Sequence, residues 1–103
     1  MKPYSVHFTA VAEHHLRVID EWWEANRPGA PRLFARELTE AVQQFVDIPH
    51  SGRPYDVPRP AGARRLLLRR TGYHIYFTVD DARSAVTIRA IWHTARGRPP
   101  RLR

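Results

Sequence analysis

Residues 64–93, RRLLLRRTGYHIYFTVDDARSAVTIRAIWH, decide the fold. They hold three runs rich in aliphatic and aromatic side chains, Arg64 to Arg70, Tyr73 to Val79 and Val86 to His93, each short enough to be one strand. Thr71-Gly72 joins the first two, and Asp80-Asp81-Ala82-Arg83-Ser84 joins the second and third. Connections this short admit only antiparallel neighbours, so the stretch predicts a three-stranded meander. Side chains alternate between the faces of a strand. A strict period of two puts Leu66, Leu68, Tyr73, Ile75, Phe77, Val79, Val86, Ile88, Ala90 and Trp92 on one apolar face. The opposite face receives Arg65, Leu67, Arg69, His74, Tyr76, Thr78, Thr87, Arg89, Ile91 and His93, and any site on the sheet is expected there.

An apolar sheet face needs a cover, and the chain ahead of it supplies one. Residues 49–63 carry Pro49, Gly52, Pro54, Pro58, Pro60 and Gly62, which reads as a long loop. Before the loop, Phe34, Leu38, Ala41 or Val42, and Phe45 recur at helical spacing, with Pro31 suited to the first turn and Pro49 closing the helix. Ala12, Leu16, Ile19 and Trp23 form the same stripe in an earlier helix, with Thr9 as its N-cap and an end near Asn26; Arg27-Pro28-Gly29-Ala30-Pro31 separates the two. Tyr4, Val6 and Phe8 alternate with polar residues as a short N-terminal strand. The expected class is therefore α+β: a strand, a long α-helical hairpin on one face, and an antiparallel sheet, in the order βααβββ. Residues 1–95 read as one domain and residues 96–103 as a basic flexible tail.

With 103 residues and 43% hydrophobic content there is room for one core. The absence of cysteine excludes disulfides, thiolate metal sites and cysteine nucleophiles. No apolar run approaches the roughly 18 residues of a membrane span. The start Met1-Lys2-Pro3-Tyr4-Ser5-Val6-His7 lacks the apolar segment of a secretory signal, so cytoplasm is the expected compartment. Charge is unevenly spread. Residues 1–58 hold six basic and eight acidic side chains, a net of −2, whereas residues 59–103 hold eleven and two, a net of +9, and every cation there is arginine. Arginine's planar fork suits phosphate and carboxylate, so the second half points to a nucleic acid or an acidic protein as partner. His14 and His15 are adjacent, which is wrong for joint metal binding on a helix, and neither metal nor cofactor is expected. Trp22 and Trp23 are consecutive, so one of them must point away from the sheet.

Five pieces in order carry a family likeness: Tyr4-Ser5-Val6-His7-Phe8-Thr9 followed by Ala12; Ile48-Pro49-His50-Ser51-Gly52-Arg53; Arg65-Leu66-Leu67-Leu68; Tyr73-His74-Ile75-Tyr76-Phe77; and Ile88-Arg89-Ala90-Ile91-Trp92-His93 with Arg96 three residues on. Their order and spacing resemble the RelE/ParE superfamily of toxins from type II toxin–antitoxin systems. The resemblance implies a small bacterial protein that halts growth and is neutralised by a cognate antitoxin, whose flexible acidic segment would cover apolar hairpin or sheet surface. Two targets follow from it. RelE-like members cleave messenger RNA on the ribosome, and ParE-like members poison DNA gyrase.

The residues decide between them. Cleaving RNA through its own 2′-hydroxyl needs a proton acceptor, a proton donor and cations for the phosphorane. His93, with an unperturbed pKa near ~6.5, is the candidate acid or base. Arg65, Arg89 and Arg96 are candidates to hold phosphate and Tyr76 to stack on a base, with His74 a weaker alternative for proton transfer. A strand-end histidine beside Trp92 equally reads as a hydrogen-bonded structural residue. The lysine cluster of RelE-like nucleases is missing, since Lys2 is the only lysine, and no glutamate follows Glu40, leaving Asp56 as the nearest carboxylate substitute. The lean is therefore towards a non-enzymatic, ParE-like gyrase poison, with Arg65, Arg69, Arg96, Arg98 and Arg101 as target-binding residues. An unrelated nucleic-acid-binding module is the reading from another class, and no helix here combines a basic face with a turn suited to the major groove.

Overall fold

The computed structural model describes residues 2–102. Thr9 opens the first helix as expected: its hydroxyl accepts from the Ala12 N–H at 3.1 Å, satisfying one of the amides that a helix start leaves unpaired. The elements are β1 (Ser5–Phe8), α1 (Ala10–Asn26), α2 (Leu33–Asp47), β2 (Arg53–Pro54), β3 (Arg64–Leu68), β4 (Tyr73–Asp80) and β5 (Ala85–His93). Strands β4 and β5 each run one residue further into their turn than the sequence reading gives, to Asp80 and from Ala85, and two other boundaries differ. Pro31 lies in the turn ahead of α2 rather than in its first turn, and Arg69 and Arg70 belong to the β3–β4 turn rather than to β3.

The sheet order is β1-β5-β4-β3-β2. Strands β2 to β5 pair antiparallel, and β1 joins the edge of β5 in parallel, with Val6 opposite Val86 and Phe8 opposite Ile88, so the sheet is mixed. The α1–α2 hairpin goes out and back, so β2 runs against β1, and the three antiparallel reversals from β2 to β5 then bring β5 in parallel to β1. The Pro- and Gly-rich loop contributes the short β2. Gly52 (φ +78) turns the loop into it, and a Cβ there would collide with the Arg65 carbonyl oxygen.

Both helical stripes fall where their spacing puts them. Ala12, Trp23, Phe34, Leu38, Ala41 and Phe45 are buried against Leu68, Tyr73, Ile75, Phe77, Val86 and Ile88, with Leu16, Ile19, Leu66 and Val79 packed at the margin. Phe45 and Phe77 meet with ring centroids 4.5 Å apart. A buried carboxylate ties the hairpin to the sheet. Glu37 of α2 accepts from the Arg70 and Thr71 amides at 2.8 and 3.0 Å and from the Thr71 hydroxyl at 2.6 Å.

The face assignment of β5 does not survive past Ile88. Phe77 pairs with Ile88 while Tyr76 pairs with Ala90, so Arg89 is an extra residue, a β-bulge. One inserted residue reverses the alternation for everything beyond it. Ile91 and His93, read as polar-face residues, stand opposite Ile75 and Tyr73 on the helix side, and Ile91 joins the main core. Ala90 and Trp92, read as core, move to the other side. There Ala90 forms a second small cluster with Ala63, Tyr76 and Leu102, bordered by Tyr55, Val57 and Trp92.

Candidate functional site

β1 covers β5 only as far as Ile88, so residues 89–93 would otherwise present an open strand edge. α1 closes it. The Thr9 hydroxyl lies 3.4 Å from the Arg89 carbonyl oxygen to which it donates, and His15 Nδ1 accepts from the Ile91 N–H at 3.2 Å. His15 also rests on Trp92, with ring centroids 5.7 Å apart. Half-buried and acting as an acceptor, the His15 imidazole has its pKa lowered, first by burial and then by the charges of His14 and Arg96.

Two concavities flank this edge and share the wall formed by Trp92, His93 and Arg96. On the helix side is a cleft of about 700 Å³ between α1 and the ends of β4 and β5. Val18 and Trp22, 50% and 45% exposed, line it together with Arg27, Arg70 and the histidines 14 and 15. The Trp pair divides as its spacing requires: Trp23 is buried and its indole donates to the Tyr73 hydroxyl, while Trp22 faces the cleft under the Arg27 guanidinium, 5.4 Å from the ring centroid. Arg27, Arg70 and Trp22 were not among the sequence candidates. The available signal was Val11, Val18 and Trp22, spaced seven and four apart as a second apolar stripe on α1.

On the open face, a shallow basin of about 200 Å³ is lined by Tyr55, Arg65, His74, Tyr76 and the chain from Trp92 to Pro99. Arg65 lies over the Tyr55 ring at 5.2 Å, and Tyr55 meets Tyr76 edge-on at 4.9 Å. Tyr76 is 4% exposed, so its ring is occupied by packing. His74 is half-buried, and its pKa is lowered by burial and then by the Arg65 charge.

The sequence candidates separate accordingly. Arg65, Tyr76 and Arg96 come together at the basin, as do His74 and Arg98. Arg89 sits in the bulge and donates from Nε to the Thr78 hydroxyl at 2.9 Å, spending its position on the β4–β5 pair. Arg69 is exposed in the β3–β4 turn and Arg101 is exposed near the C-terminus. Asp56 is an exposed loop residue and lines neither concavity. His93 touches the rim of both concavities, but its ring packs edge-on against Tyr73 at 4.9 Å, and its Nδ1 accepts from the Ala95 N–H at 3.0 Å. That hydrogen bond places the neutral ring's proton on Nε2, which lies 3.1 Å from where a Cβ on Gly72 would stand. Among the described residues, no group of three or more His, Cys, Asp or Glu is placed to hold a metal ion, and no helix is long and apolar enough to cross a membrane.

The chain matches the sequence profile described as the ParE toxin of type II toxin–antitoxin systems, parDE, over residues 6–98. No curated protein matches it by sequence. Among solved structures, it superposes on the chromosomal ParDE toxin–antitoxin system from P. aeruginosa with a TM-score of 0.72 and 23% identity, covering 90% of this chain and 98% of that one. The RelBE2 toxin–antitoxin complex from Mycobacterium tuberculosis gives 0.67 and 27% identity, with coverage of 93% and 97%. A mutant of the E. coli toxin RelE in its free state gives 0.56 and 15% identity, with coverage of 90% and 85%.

Proposed function

The chain belongs to the ParE toxin family of type II toxin–antitoxin systems, and from that premise we propose that it arrests bacterial growth from the cytoplasm by poisoning DNA gyrase. As a toxin of such a system it has a cognate antitoxin as its partner. The observation that carries the choice of target is the engagement of His93. An RNA-cleaving centre needs its acid or base free and within reach of the cations that would hold the phosphate. Here the imidazole is on the helix side of the sheet, packed on Tyr73 and bonded to Ala95, while Arg65 and Tyr76 stand on the other face and Arg89 is bonded to Thr78. Apart from the His74 imidazole, the side chains that remain available in the basin are cations and aromatic edges, which bind a partner and do not move protons.

Under this reading the arginines of the second half, Arg65, Arg69, Arg96, Arg98 and Arg101, contact gyrase or the DNA it has cut and hold the broken intermediate. The cleft beside α1, with an apolar wall of Val18 and Trp22 under Arg27, Arg70 and Arg96, fits the acidic, apolar segment of the antitoxin. His74 supports the competing RNA-cleaving reading, because its lowered pKa keeps the imidazole neutral, as a base must be, beside Arg65.

Growth arrest, messenger RNA integrity on translating ribosomes and gyrase-linked plasmid breaks, measured for wild type, His93→Ala, His74→Ala and Arg96→Ala, separate the two. Gyrase-linked breaks with RNA whole are expected, retained in His93→Ala and His74→Ala and reduced in Arg96→Ala. Ribosome-dependent RNA cuts that disappear in either histidine variant, with gyrase turning over normally, would overturn the proposal.

A further inference from the structure

Helix α1 carries two apolar stripes, and the fold uses only one of them. Ala12, Leu16, Ile19 and Trp23 pack on the sheet, whereas Val11, Val18 and Trp22 are 47%, 50% and 45% exposed. At about 100° per residue, Val11, Val18, Trp22 and Ala25 fall within about 60° of one another on the outer side of the helix, with His14 beside them. Three large apolar side chains in one exposed line mark an interaction surface rather than scattered exposure.

The charges beside the stripe define its partner. Arg17 and Glu21 flank it on the side opposite His15, which bonds to β5; both are exposed, and the ion pairs among the described residues use neither. Glu13 and Glu24 lie further round the same flank, so an acidic segment is repelled there, in contrast to the arginine-lined cleft on the other side. A second copy of α1 fits. When two helices lie antiparallel about a twofold axis at Val18, residues equally far before and after Val18 come opposite one another: Val11 meets Ala25, His14 meets Trp22, and Val18 meets itself. The twofold keeps both charged flanks on one side, so Glu21 of each copy lies between His14 and Arg17 of the other. In a parallel pair, Arg17 would face Arg17 and Glu21 would face Glu21. The antiparallel arrangement also opposes the two helix dipoles.

We propose that two copies of this chain pair through the outer face of α1, antiparallel, with Val18 on the twofold axis and Glu21 set against Arg17 and His14 of the second copy. This goes beyond the proposed function, since it concerns two copies of the free chain and holds for either target. A helix of 17 residues is about 25 Å long, so the contact falls below the roughly 1,200 Å² of stable complexes and the pair dissociates in the micromolar range. Val18 and Trp22 also line the cleft beside α1, so pairing withdraws that wall and the cleft is complete only in the unpaired copy.

The chain has no cysteine, which makes the geometry readable by single substitutions. Sedimentation of the full chain, over concentrations bracketing the micromolar range, should show a reversible monomer–dimer equilibrium. Arg17→Glu and Glu21→Arg should each raise the dimer dissociation constant about tenfold, because each change acts at both symmetric contacts, and the two together should return it to within about threefold of wild type. Val18→Cys, on the axis, should trap a disulfide dimer under mild oxidation, whereas Leu67→Cys, at an exposed position on the open face, should not. All four positions are exposed, so none of these changes disturbs the core. A chain that sediments as a monomer throughout would overturn the proposal. So would pairing indifferent to both single charge changes, a loss that the double variant does not restore, or trapping as fast at Leu67 as at Val18. These outcomes leave the gyrase reading untouched, because none of them involves the target or the antitoxin.

Discussion

The two faces of the sheet are built to different standards. On the helix side, Phe34, Phe45, Ile75, Phe77 and Ile88 have no exposed surface, and two helices of 17 and 15 residues cover them. On the open side, four buried residues, Ala63, Tyr76, Ala90 and Leu102, form a patch closed by loop and tail. The first face stabilises the fold where the helices seal it, and opens only at the cleft beside α1, at the ends of β4 and β5. The second is held by few contacts, and none of the ion pairs among the described residues uses its arginines. The bulge at Arg89 is where β5 changes its contribution to each face.

Deleting Arg89 and Ala90 together tests the comparison most severely. Removing Arg89 alone would only regularise the ladder and keep the faces, but with both residues gone Ile91 and His93 rotate to the open side and Trp92 to the helix side, and the protein should lose its cooperative unfolding transition, as seen by circular dichroism during a urea titration. A deletion variant that unfolds like wild type would mean the two faces are interchangeable beyond Ile88. Next in size is Phe77→Ala. It removes the partner of the Phe45 ring from the sealed core and should cost about 3–5 kcal/mol in the same titration. Glu37→Gln keeps the shape but turns one acceptor into a donor facing the amides of Arg70 and Thr71, with an expected cost of about 1–3 kcal/mol. Leu102→Ala, on the open face, should cost only about 1–2 kcal/mol, because the tail can lift away instead of leaving a cavity. If Leu102→Ala cost as much as Phe77→Ala, the open face would be a second core and the contrast would fail.

The smallest effect is one of pH, at the edge that both faces share. The His15 pKa in the folded protein lies below its ordinary 6.5, so the unfolded chain binds more protons through the window between the two values. Its contribution is complete above about pH 6.5 and is lost as the pH falls through the folded-state pKa, since a protonated Nδ1 can no longer accept from Ile91. Urea midpoints measured from neutral to mildly acidic pH should decline less steeply in His15→Phe than in wild type. His74 is shifted in the same direction, so His74→Phe should remove a further part of the slope.

Much of this architecture was legible in the chain. Thr9 as a cap, the stripes ending at Trp23 and Phe45, the breaker-rich loop and the meander all rest on local rules, which act within a turn of helix or a pair of residues and so leave a trace in spacing. The pieces that carry the family likeness are read the same way, because they are short and ordered. The site was less legible. Arg65, Tyr76 and Arg96 do meet at one basin, yet Tyr55, Trp92 and His74 complete it from a loop and two strands, and the cleft's Arg27 and Arg70 come from the end of a helix and a turn.

The sequence by itself determined which segments are helix and strand and which helical side chains are buried, because those follow from periodicity. Only the tertiary structure decided three things: that β1 pairs in parallel with β5, that Arg89 is the one residue too many opposite Tyr76 and Phe77, and that Leu102 returns to the open face. A bulge has no composition of its own. It is set by how far two strands must slip for Ile91 to fill the space beside Ile75, and that requirement exists only once the helices have closed over the sheet. His93 follows the bulge. The residue that the alternation put on the working face is therefore the one that packing turned towards the core.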